Sequence, residues 1–148
     1  MNIKEAIYKE ITENISLISD YFDTTNVWQG FIPRNKTEHQ SDTPDYQLFF
    51  IPLPTKEYSL IKQNIKIFEF RIVGRQNETS DNQMEIFRNI IVDHFLDNYG
   101  KGGKIYDSFT VYSCTTEQGG EVENFDSDEK EIYFQLRFDY IRGDAESL

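Results

Sequence analysis

Residues 131–141 alternate without a break. Ile132, Phe134, Leu136, Phe138 and Tyr140 are apolar, and Gln135, Arg137 and Asp139 fall between them. Successive side chains of an extended chain point to opposite sides. Period-two alternation therefore predicts a strand with one face in a core and the other toward water. Upstream, 105–114 also reads as a strand, and the stretch between the two is acidic and marked by Gly119 and Gly120. The pair predicts a long hairpin that closes the domain and projects a charged loop over 115–130.

The remainder of the chain supplies elements that this hairpin can join. Ile3, Ile7, Ile11, Ile15, Ile18 and Phe22 recur every three or four residues, with Ala6 and Tyr21 widening the stripe and Glu5, Lys9, Glu10 and Glu13 off it. That spacing predicts an amphipathic helix over 3–22, closed by the turn-formers Asp23 to Asn26. A second helix is predicted over 81–98. Ser80 and Gln83 have capping-box spacing, Asp81 complements the dipole, and Met84, Phe87, Ile90, Ile91, His94 and Phe95 form one stripe. Gly100, Gly102 and Gly103 end it. Further strands are predicted over 27–32, over 46–51 (stopped by Pro52 and Pro54) and over 66–73. The polar segment 33–45, with Pro33 and Pro44, is predicted to be a second long loop. Two helices among non-parallel strands imply an α+β fold: a single mixed or antiparallel sheet with two helices packed on one face. The 148 residues form one domain, 1–148, long enough to bury a core without covalent staples.

Charge narrows the partners. The chain carries a net charge of −11 and a pI near 4.6. Nucleic acid and anionic membrane surfaces both call for a basic patch, so neither is expected as a partner. Seven acids and one base, Lys130, fall within 115–131. Such a stretch is either a solvated loop or an electrostatic contact for another protein. Cys114 is the single cysteine, which excludes an intramolecular disulfide. No secretory signal or membrane-length apolar run is legible, so a reducing cytoplasm is expected and the sequons at Asn14, Asn35 and Asn77 read as chance matches.

Catalytic and metal patterns fail one by one. His39 sits in a polar loop with no further ligands at zinc spacing, and His94 lies on a helix stripe. Cys114 has no base placed to activate it and reads as a buried strand residue. The glycines at 100, 102 and 103 follow a helix, whereas a phosphate loop precedes one. The 124–135 segment has calcium-loop spacing at its start but Glu129 where glycine is needed and Gln135 where glutamate is needed. Glu69 and Arg71 resemble half of a metal-nuclease motif, but arginine cannot serve as the deprotonatable base. No enzyme activity, metal or cofactor is expected.

The order of elements is similar to that of the tail terminator proteins of long-tailed bacteriophages, also called tail completion or head–tail joining proteins. The likeness spans about residues 1–142. It rests on the amino-terminal helix, the Val27-Trp28-Gln29-Gly30-Phe31-Ile32-Pro33 segment, and the polar loop ending Pro44-Asp45-Tyr46 ahead of an apolar strand. It continues through the Ile67–Val73 strand entering a helix and the closing strand with its Arg-Phe-Asp-Tyr ending. It departs from the family where Asp45 separates Pro44 from Tyr46 and in the length of the acidic loop. The resemblance implies a structural role in the virion. Copies would form a ring, commonly hexameric, at the tail–head junction, meeting the tail tube protein on one side and the head connector on the other. Closed rings join two different patches head to tail. The acidic loop around Gly119, Gly120 and Asp126 is one expected patch, and the bases Lys62, Lys66 and Arg71 the other. The alternative is a small acidic binding module or inhibitor that mimics nucleic acid.

Overall fold

The computed structural model describes residues 2–32, 46–54, 57–58, 63–75, 78–100, 103–123 and 129–142. In chain order the elements are α1 (Ile3–Glu13), β1 (Val27–Trp28), β2 (Gln47–Leu53), β3 (Glu57–Tyr58), β4 (Gln63–Arg75), α2 (Glu78–Tyr99), β5 (Lys104–Ile105), β6 (Phe109–Glu123) and β7 (Glu129–Arg142), with a turn of 3-10 helix at Ser16–Ile18. All seven strands join one sheet in the order β1-β2-β4-β7-β6-β5, and β3 pairs with the start of β4. Only β1 and β2 run parallel, so the sheet is mixed. The fold is α+β, as the alternation and helical stripes imply.

Register explains how one core forms. Phe68 lies opposite Leu136 and Phe70 opposite Phe134, so the even-numbered residues of β4 and β7 share a face. Phe95 of α2 packs on that face, with ring centroids 6.1 Å from Phe70 and 5.7 Å from Phe138. Ile3, Ile7 and Ile11 of α1 are buried in the same cluster. Both helices thus cover one side of the sheet, and among the described residues the other side carries none. Phe50, Phe70, Phe95 and Phe138 are fully buried. Burying a phenylalanine side chain contributes roughly 1.5–3 kcal/mol, which makes this aromatic cluster a principal source of stability.

Several boundaries differ from the sequence expectation, each for a local reason. The first helix stops at Glu13, and the Asn14 side chain turns back to bond the Glu10 carboxylate. Ile15, Ile18 and Phe22 are buried all the same, because the 3-10 turn and the bends after it follow the same apolar surface. β1 ends at Trp28, and Gly30 has a φ of 135°, outside strand geometry. β2 runs through Pro52 to Leu53. The Leu48 N–H points toward β1, where it bonds the Asn26 carbonyl. Pro52, four residues on, directs its missing donor to the same side, and β1 extends only to the level of Phe49. Helix α2 begins at Glu78, so Ser80 lies inside it rather than at its cap. The expected strand 105–114 is instead a tight hairpin, β5 to β6, closed where Tyr106 N–H bonds the Phe109 carbonyl. Gly103 enters that hairpin at φ 73°, where a Cβ would sit 2.3 Å from the Val111 carbonyl oxygen.

The acidic stretch 115–130 is not a loop. β6 continues to Glu123 and β7 resumes at Glu129, so only 124–128 connects them. Two irregularities, between Val111 and Ser113 and between Thr116 and Gly119, shift the register and bend the hairpin arm. Thr, Glu and Gly with few apolar residues read as loop because this arm packs little core of its own. The second long loop expected, 33–45, lies outside the described residues.

Candidate functional site

The helix-free face of the sheet divides in two. On β2 and β4 it is apolar: Phe49, Ile51, Leu53, Ile65 and Ile67 alternate with core residues. Phe31 stands over this half with its ring 5.9 Å from Phe49 and is 76% exposed. On β4 and β7 the face is a charged ladder. Arg71 donates from Nε to Glu69 Oε2 at 3.0 Å and from Nη1 to Glu131 Oε2 at 2.8 Å. Gln135 Nε2 donates to the other Glu69 oxygen at 3.1 Å. Burial opposes the Arg71 charge, but the bonds to Glu131 and Glu69 outweigh it and raise its pKa. The guanidinium also lies 5.8 Å from the centre of the Tyr133 ring. Tyr133 in turn covers Gly120, where a Cβ would meet the Tyr133 hydroxyl at 3.0 Å. Gly120 thus gives the tyrosine room to lie across the strand.

Among the described residues the sheet also leaves two different edges open. β5 pairs with β6 only at Thr110 and Val111. Among the described residues no strand pairs with the outer side of β6 from Thr115 to Glu123, and Thr115 to Gly119 are exposed. On the opposite flank β1 leaves Phe50–Leu53 of β2 uncovered in the same sense. An unpaired edge is a template for another chain. Glu117 and Glu121 along β6 oppose pairing of that edge with its own copy, which leaves pairing with an unlike surface as the favoured contact.

The residues expected at an interface do not gather. Gly119 and Gly120 sit in the β6 arm, opposite Phe134 and Tyr133. Asp126 and Lys62 lie outside the described residues. Lys66 and Arg71 do not form one basic patch. They fall at positions of opposite parity on β4, so Lys66 points to the helix side and Arg71 to the other, where Glu69 and Glu131 match its charge. Lys66 has different neighbours: with Lys4 of α1 and Arg142 of β7 it borders a cleft of about 380 Å³ at the start of β4. Sequence reasoning missed Lys4 and Arg142 because only the sheet register brings positions 4, 66 and 142 to one end of the molecule.

A buried polar cluster lies between the helices. Glu10 Oε1 is 2.8 Å from His94 Nε2, and Glu10 Oε2 accepts from Lys104 Nζ at 3.1 Å and Asn14 Nδ2 at 3.0 Å. Burial alone would raise the Glu10 pKa, but these donors hold it below its ordinary value. The Tyr99 and Tyr106 hydroxyls bond each other at 2.5 Å. Burial pushes the Tyr99 pKa up, aided by Tyr106 and Glu10, and burial raises that of Tyr106 as well. With its oxygens committed to three donors, Glu10 is a fastener of α1 to α2 and β5. Cys114 is buried, and burial followed by the Asp139 charge pushes its thiol up to about 12, far from a reactive thiolate. Among the described residues no cluster of three or more His, Cys, Asp or Glu could hold a metal ion, and no helix is long and apolar enough to cross a membrane.

No protein-family model matches this chain, and no curated protein sequence matches it.

Proposed function

We propose that this chain is a structural subunit of the head–tail junction of a long-tailed bacteriophage. In this reading it forms a ring, commonly hexameric, that caps the tail tube and presents a surface to the head connector within the virion. Its activity is assembly and it turns over no substrate. One observation carries the reading: a single sheet that, among the described residues, ends in two unlike open edges, one acidic on β6 and one uncharged on β2. Unlike edges favour head-to-tail association, the geometry that closes rings. The resemblance in element order supports the same role, and the helix-free face with exposed Phe31 offers a surface for a non-identical neighbour.

The test is the native mass of the full chain, alone and with purified tail tubes, together with electron microscopy of the tube ends. A closed ring in solution or a cap of this protein on the tubes is expected. A monomer or dimer that leaves tubes bare but inhibits a nucleic-acid-binding enzyme would replace this reading with that of an acidic inhibitor.

A further inference from the structure

We propose that the cleft at the start of β4 receives the tip of the β6–β7 hairpin from a second copy of this chain. This rests on the assembly reading above and names the contact that joins the subunits.

The cleft has a floor and a rim of different chemistry. Ile3, Phe68 and Phe109 form an apolar floor, each 7% exposed or less. Lys4, Lys66 and Arg142 stand at its margin, contributed by α1, β4 and β7. No carboxylate among the described residues is within ion-pair distance of these three. Three cations without such a match are conspicuous in a chain of net charge −11.

The hairpin tip has the complementary composition. From 123 to 128 the sequence reads Glu-Asn-Phe-Asp-Ser-Asp, an aromatic residue among three acids with no base. Lower on the arm the acids are already matched within the subunit, Glu121 by Lys130 at 3.2 Å and Glu131 by Arg71 at 2.8 Å. Complementarity to a partner therefore falls to the 123–128 segment: Phe125 for the floor, its acids for the rim. An aromatic anchor ringed by charge pairs is the usual make-up of a strong contact.

Distance makes the contact intermolecular. β7 runs from the hairpin at Glu129 to the cleft at Arg142. Fourteen extended residues cover roughly 45 Å. The five residues of the connection reach at most about 17 Å even when fully extended. A subunit's own hairpin tip cannot reach its cleft, and each subunit can offer a tip to one neighbour while accepting that of another.

The experiment titrates a synthetic peptide of residues 119–131 into full chain carrying Asp126→Lys and Asp128→Lys, followed by amide and side-chain NMR. Shifts confined to the surroundings of Lys4, Lys66, Phe68, Phe109 and Arg142 are expected. Lys66→Glu with Arg142→Glu should weaken binding about tenfold or more, and Phe125→Ala in the peptide should weaken it comparably. A scrambled peptide of equal charge that bound as well, shifts elsewhere, or no binding would overturn the proposal. Native mass separates the two readings. A ring that survives Lys66→Glu and Arg142→Glu rejects the cleft contact and keeps the ring. A chain that stays monomeric and leaves tail tubes bare, yet binds the peptide in the cleft, rejects the ring and keeps the cleft.

Discussion

Single residues divide here into those whose role follows from pattern and those whose role needs three dimensions. Phe138 belongs to the first kind. Its place in the alternation predicts burial, and it is fully buried against Phe68, Phe95 and Tyr99. Phe138→Ala should cost about 3–5 kcal/mol of unfolding free energy, read by urea denaturation. A loss well under a kilocalorie would mean that the core closes over the vacancy. Glu10 belongs to the second kind. It lies off the apolar stripe, yet it is buried because His94, Lys104 and Asn14 reach it from other parts of the chain. Its folded pKa is depressed, so its stabilisation is present above the ordinary carboxylate value of 4.5 and is lost as pH falls through the folded value. The urea midpoint should therefore drop as the pH falls below the ordinary carboxylate value of 4.5, and Glu10→Gln should shrink that drop by removing the titrating group. An unchanged pH profile in the variant would show that other carboxylates govern acid unfolding.

Elements were legible where hydrophobic period coincided with burial and illegible where it did not. β7 and the stripe of α2 follow directly from spacing, since each has one wet and one dry side. The β6 arm does not. Thr115, Thr116, Glu117, Gln118 and Gly119 are exposed, and only Thr115, Thr116 and Gly119 of them pair in register with β7, so nothing in their side chains announces a strand. This changes how the acidic hairpin can be cut. Removing 117–128 would strip β7 of its partners from Phe134 to Lys130 and should destabilise the domain. Replacing 124–129 with Asn-Gly, a two-residue hairpin turn between the paired Glu123 and Lys130, should leave thermal stability within about a degree or two, since a surface turn costs a few tenths of a kilocalorie. Differential scanning calorimetry of both variants decides it. Equal and large losses from the two cuts would show that the connection itself supports the fold.

At the scale of the whole molecule, composition indicated acid but not its arrangement. The acids of the hairpin and the cations of the cleft lie at opposite ends of the long strands, a separation visible only once the register is known. Association through charge pairs of about 0–1 kcal/mol each should weaken as salt rises, so sedimentation should show smaller species at high ionic strength. Hydrogen exchange should also change on assembly. The outward-facing amides of β6 beyond Thr115 should exchange quickly in the free subunit and slowly in the ring. Equal rates in both states would leave the β6 edge out of the interface. Cys114 offers a way to follow such events in time. It is the chain's one thiol, buried in the same strand, with a pKa near 12. A disulfide reagent can modify it only when β6 parts from its neighbours, so the rate of colour development counts openings of that strand. A subunit locked into a ring should then be a slower chemical clock than a free one, with no label added and no residue changed.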